Sequence, residues 1–178
     1  MSISNKFVFI VLTIVAWIIF VALCIEAGGL LVNFVFSLFK PEVVHNLYQK
    51  LDLSQLYARS PWAYFSMYSY ILVIAGLKVF LFYVVVMLVT RLDLAKPFSA
   101  YVSLQITRIS YCTLAIGLLS YLARQTTREL QKRGFETDVL NQFWVDSQAF
   151  IFMAAVVYII AAIFRKGVEL QNENDLTV

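Results

Sequence analysis

The sequence predicts an all-α polytopic membrane protein, with four transmembrane helices in an antiparallel bundle and an amphipathic helix on the extracytoplasmic side. Three observations carry this reading. Hydrophobic residues make up 61% of the 178 residues and charged residues 14%, against roughly half and a quarter in soluble domains. Predominantly apolar runs of the length that spans about 30 Å of hydrocarbon, roughly 20 residues, recur four times. Basic residues, glycine or proline bound these runs. The net charge of +3 is too small and too scattered for a nucleic-acid footprint, so no direct DNA or RNA binding is expected.

The first span, 7–26, begins after Lys6 and stays uncharged from Phe7 to Ile25. It then meets Glu26 and the Gly28-Gly29 pair, before a second apolar stretch from Leu30 to Phe39. The run exceeds the 7–15 residues usual for a signal-peptide core, so it is expected to remain as an anchor. The connection 40–61 places Val43, Val44, Leu47, Tyr48 and Leu51 at helical spacing opposite Glu42, His45, Gln49, Lys50 and Asp52, the pattern of an amphipathic helix. Such a helix lies on the bilayer or covers the mouth of the bundle.

The second span, 68–90, ends before Arg91 and is interrupted only by Gly76 and Lys78. Trp62, Tyr64, Tyr68 and Tyr70 at its start read as interface anchors, with Trp144 matching them on the fourth span. A short turn follows, in which Pro97 disfavours helix and Ser99 is a candidate N-cap. The third span, 104–123, runs on as a solvated helix through Arg124 and Lys132 until Gly134 ends it. The fourth, 144–164, stops at Arg165-Lys166-Gly167, and a tail of the disordered type occupies 167–178. No repeat or low-complexity linker divides the chain, which reads as one domain.

With four spans both termini fall on one side. Lysines and arginines number six on that side and seven on the other. The short flanks Arg91 to Lys96 and Arg165-Lys166 abut hydrophobic ends, which favours cytoplasmic termini.

Ionisable residues inside hydrocarbon cost a few kcal/mol and are functional candidates by default. Glu26, Lys78 and Arg108 are the three here. At about 1.5 Å per residue, Lys78 lies roughly 20 Å from Arg91, and Glu26 roughly 30 Å from Lys6. Lys78 either pairs with Glu26 or snorkels to its nearer interface, with a substrate or proton path as the remaining reading. Cys24 and Cys112 lack the spacing of a metal or disulfide pair and read as small core residues. His45 is the only histidine and stands apart from acids and thiols in the sequence. No nucleophile is spaced with a base, so neither enzyme activity, metal nor cofactor is expected. A transporter would show repeated halves with matched breaks, and these are missing from the sequence.

The run Ile163-Phe164-Arg165-Lys166-Gly167-Val168-Glu169-Leu170-Gln171, followed by Glu173-Asn174-Asp175-Leu176-Thr177-Val178, resembles the C-terminal signature of the bacterial domain of unknown function 2975 family. The element Lys96-Pro97-Phe98-Ser99 is similar to that family's Pro-Phe turn, and the resemblance extends over essentially the whole chain. The resemblance implies a small four-span inner-membrane protein of the kind often encoded beside a small helix-turn-helix regulator. The function expected from this context is a membrane-bound regulatory or sensory partner that tethers such a regulator. The candidate partner-binding residues are Glu169, Leu170, Gln171, Glu173, Asn174, Asp175, Leu176 and Val178. A structural or self-associating membrane protein, as a homo-oligomer, is the alternative. A small transporter or channel ranks third. The lipid bilayer is the partner common to all three.

Overall fold

The computed structural model describes residues 3–48, 51–92 and 98–175. Gln49, Lys50, the turn 93–97 and the tail end 176–178 lie outside the described residues. The elements are α1 (Ile3–Phe39), a 3-10 turn (Pro41–His45), α2 (Ser54–Arg59), α3 (Pro61–Arg91), α4 (Ala100–Lys132), a second 3-10 turn (Asp138–Phe143) and α5 (Ser147–Asp175). The four long helices are long and apolar enough to cross a membrane.

Their ends follow local chemistry. The Ser60 hydroxyl accepts the Ala63 amide at 3.4 Å, with Pro61 in the first turn of α3, where its missing N–H has no cost. Ser99 caps α4 as expected, accepting the Val102 amide at 3.2 Å. Gly134 stops α4 with φ of 79°, in the left-handed region that glycine enters freely.

The helices pack in chain order, α1 on α3, α3 on α4 and α4 on α5. Among the described residues α1 has no extended packing against α4 or α5, so the bundle is a row with α1 and α5 at its ends. Register comes from three side-chain bonds. Tyr68 Oη donates to Leu30 O at 3.0 Å, Tyr101 Oη to Met87 O at 3.1 Å, and Ser110 Oγ to Ala154 O at 3.0 Å. All three pairings are antiparallel. The α4–α5 seam is made of small residues, the device by which membrane helices bring backbones together. Ala154 and Ala161 are buried there, and a Cβ on Gly117 would meet Ile151 Cγ1 at 2.7 Å.

Several expectations need correction. Glu26 and Gly28-Gly29 do not end the first helix, because the apolar run to Phe39 continues it and the Tyr48 ring covers Gly29. A Cβ there would lie 2.6 Å from Tyr48 Cδ2. The stretch 40–61 is not one amphipathic helix but a 3-10 turn, an isolated bridge between Leu47 and Leu51, and the short α2. Its apolar residues Val44, Leu47, Leu51, Leu53 and Leu56 are all buried, more than one helix face can hide. Asp52 breaks the helix by accepting the Ser54 amide at 2.9 Å.

Of the expected interface aromatics only Trp62 stands out, at 86% exposed, whereas Tyr64, Tyr68 and Trp144 are core residues. The tyrosines join Phe34, Tyr57 and Phe65 in an aromatic cluster with ring separations of 5.2–6.1 Å. Cys24 is exposed on α1 rather than in a core, and Cys112 is half-buried. The tail is helical to Asp175, so α5 passes its basic stop without unwinding.

Because α5 starts beside Gly117, α4 projects past it by about 22 Å, at about 1.5 Å per residue. The chain from Arg133 to Asp146 folds back along this projection and buries Leu140 and Trp144. Arg59 ties the two connections together: its guanidinium donates to Gly134 O and, at 3.0 Å, to Arg133 O, and lies 4.4 Å from the centre of the Phe135 ring. Both connections therefore sit at one end of the row, opposite the termini.

Candidate functional site

At the end of the row near the termini, the two segments that carry the family resemblance meet. The Phe98 ring packs at a tilt of 45° against Phe164, 5.2 Å between centroids, and its edge lies 2.6 Å from where a Cβ on Gly167 would be. Gly167 is therefore a close-approach residue and not a helix stop, a role the sequence does not reveal. Spacing alone offers only an aromatic after a proline and a glycine after two cations. Their union fixes the base of the tail against the start of α4.

Beyond this base, about 12 Å of helix runs from Gly167 to Asp175. Leu170 is 50% exposed on it, and Glu169 and Glu173 are exposed. Lys166 Nζ bonds Glu169 Oε2 at 3.0 Å, one turn apart, and Gln171 is half-buried. Asn174 and Asp175 are in the helix by backbone, while Leu176 and Val178 lie outside the described residues. Seen along the helix, Lys166, Glu169, Leu170 and Glu173 share one side, by their spacing of three and four. This surface is an apolar side chain framed by carboxylates at the end of the helix.

The intramembrane charges divide into two places. Glu26 and Lys78, both half-buried, line one small cavity between α1 and α3 together with Leu23, Ile74 and Phe143. Its volume of about 10 Å³ is that of a single water molecule. No ion pair within 4 Å joins the two among the described residues. Phe143 comes from the folded-back connection, so three segments meet at this point. Arg108 is on α4, exposed and away from that cavity.

No curated protein and no solved structure matches the chain. The family model described as protein of unknown function (DUF2975) matches residues 40–178, which include the Pro-Phe turn and the whole tail, and the chain belongs to that family.

Proposed function

We propose that the protein is not an enzyme but a membrane-bound regulatory partner, which holds a small helix-turn-helix transcription regulator at the bacterial inner membrane through its cytoplasmic tail. One observation carries the reading: α5 continues beyond Arg165 as a helix to Asp175, presenting exposed Leu170 beside Glu169 and Glu173. A carboxylate-framed apolar residue complements the basic surface of a DNA-binding protein, and such complementarity steers encounter and fixes orientation. Phe98 on Gly167 gives the tail a fixed base, so a change in α4–α5 packing would move the docking face. Regulation from the bilayer requires that this packing take two arrangements, each with its own placement of the tail.

The test is affinity capture of the full-length protein from native membranes, beside a version lacking Glu169 to Val178 and a Leu170→Glu variant. Recovery of a helix-turn-helix protein with the intact tail alone is expected, with membrane insertion equal in all three. Recovery of that protein irrespective of the tail, or of further copies of this chain alone, would overturn the reading in favour of a structural, self-associating protein.

A further inference from the structure

The contacts between helices bring one point on each to a common level. Ser147, the start of α5, has its carbonyl 3.2 Å from where a Cβ on Gly117 would be. Leu119 shares a hollow with Tyr70 and Val73, and Ile71 and Ile74 line the cavity that holds Glu26 and Leu30. Measured from this level toward the termini at about 1.5 Å per residue, α1 reaches Phe7 after about 28 Å and α5 reaches Phe164 after about 26 Å. Both are close to one hydrocarbon thickness of about 30 Å. The hydrocarbon therefore ends near Glu26 and Ser147, and α1 runs on beyond it for about 17 Å, from Gly28 to Phe39.

Beyond that boundary α4 carries exposed Arg128, Glu129 and Lys132, as a helix in water should. The matching part of α1 has no charge. Leu31, Val32, Val35, Phe36, Leu38 and Phe39 are 44–78% exposed there, on the side away from Leu30 and Phe34, which pack on α3. A contiguous apolar face outside the hydrocarbon marks an interaction surface.

The face also continues below the boundary. Ile14, Trp17, Val21, Cys24 and Gly28 are exposed, and steps of three and four join them to Leu31, Val35 and Leu38, the 3.5-residue spacing of a coiled-coil seam. Its occupant must be a helix that stays apolar both inside the bilayer and for about 17 Å above it. α1 is itself such a helix. Copies of one chain cross the bilayer in one orientation, so a two-fold axis along the membrane normal sets equal levels opposite each other. Identical residues then meet, which requires a face without charge. Glu26 is the only charged residue from Phe7 to Phe39, and it lines the cavity on the α3 side. Small Cys24 and Gly28 let backbones approach at the boundary, with nothing within 4 Å of where a Gly28 Cβ would be.

We propose that two copies of this chain pair in parallel through α1, along the seam from Ile14 to Leu38, with lipid flanking the pair inside the bilayer. α1 and α5 are the two ends of the row, so the pairing leaves both tails free and stands independently of the tethering role.

The experiment is disulfide crosslinking of the full-length protein in native membranes, starting from Cys24→Ala with Cys112→Ala. Val35→Cys, oxidised with copper phenanthroline, should give a species of twice the chain mass, whereas Phe152→Cys, exposed on α5, should stay at the single mass. Restoring Cys24 alone should give the doubled species as well, since a close seam brings facing Cα atoms within the roughly 6 Å of a disulfide. Val35→Lys, with both native cysteines present, sets like charges across the seam and leaves the α3 side of α1 unaltered. It should halve the mass of the detergent-purified protein measured by light scattering. Absence of the doubled species from Val35→Cys, equal crosslinking of Phe152→Cys, a crosslink from Val35→Cys to a different protein, or an unchanged mass in Val35→Lys would overturn the pairing.

Discussion

The α4–α5 seam depends on what single residues omit. At Gly117 a new Cβ meets Ile151 Cγ1 at 2.7 Å and the Ile151 amide nitrogen at 3.0 Å, and the backbone cannot give way as a side-chain tip can. Gly117→Val should therefore cost about 1–3 kcal/mol, as overpacking does. Ser110→Ala, which removes only the bond to Ala154 O, should cost about 0.6 kcal/mol. Unfolding titrations of the detergent-solubilised protein would measure both, and the reverse order would refute this account of the seam. Glu26 and Lys78 pose the opposite problem, two charges around one void. Removing either strands the other beside the cavity, so Lys78→Ala alone should destabilise more than Lys78→Ala with Glu26→Ala. The coupling should reach at least about 0.5 kcal/mol, and purely additive losses would mean that each charge faces lipid independently.

At the scale of elements, the cap formed by residues 40–61 shows what periodicity leaves out. Its apolar spacing fits a helix, but the Asp52 carboxylate accepts the Ser54 amide and closes a turn where the helix would have continued. Bonds from the Ser54 side chain and amide hold the Asp52 pKa below its ordinary value of 3.8. A depressed carboxylate stabilises the fold at pH above its unfolded value, and the contribution is lost as pH falls through the lower, folded one. The Ser54 amide resonance should therefore titrate with a midpoint under 3.8, and lose that transition in Asp52→Asn. A midpoint at or above 3.8 would place the carboxylate elsewhere. Span chemistry was legible because length and apolarity determine it directly. The continuation of α1 through Gly28-Gly29 was not, since it depends on Tyr48 covering Gly29 from 19 residues away.

Across the whole molecule, the row of helices places its own demands on the sequence. The central helices need apolar or small polar surfaces on two sides, which is why buried Ser103, Ser110, Thr113 and Ser120 mark α4. The end helices meet lipid, and α1 exposes large apolar residues from Phe7 to Phe39. The candidate surface on the tail was readable as residues but not as a place, because Phe98 and Gly167 become neighbours only after two helices have crossed the membrane in opposite directions. Four crossings fix a relation independent of orientation: His45 and Glu136 lie at the same end, and Asn172 at the other. All three are exposed. In a background where Cys24 and Cys112 are alanine, His45→Cys and Glu136→Cys should react with a membrane-impermeant maleimide from the same side of sealed vesicles. Asn172→Cys should react only in vesicles of inverted orientation or after lysis. Labelling of Asn172→Cys together with His45→Cys would mean an even number of crossings between them, against the three of α3, α4 and α5.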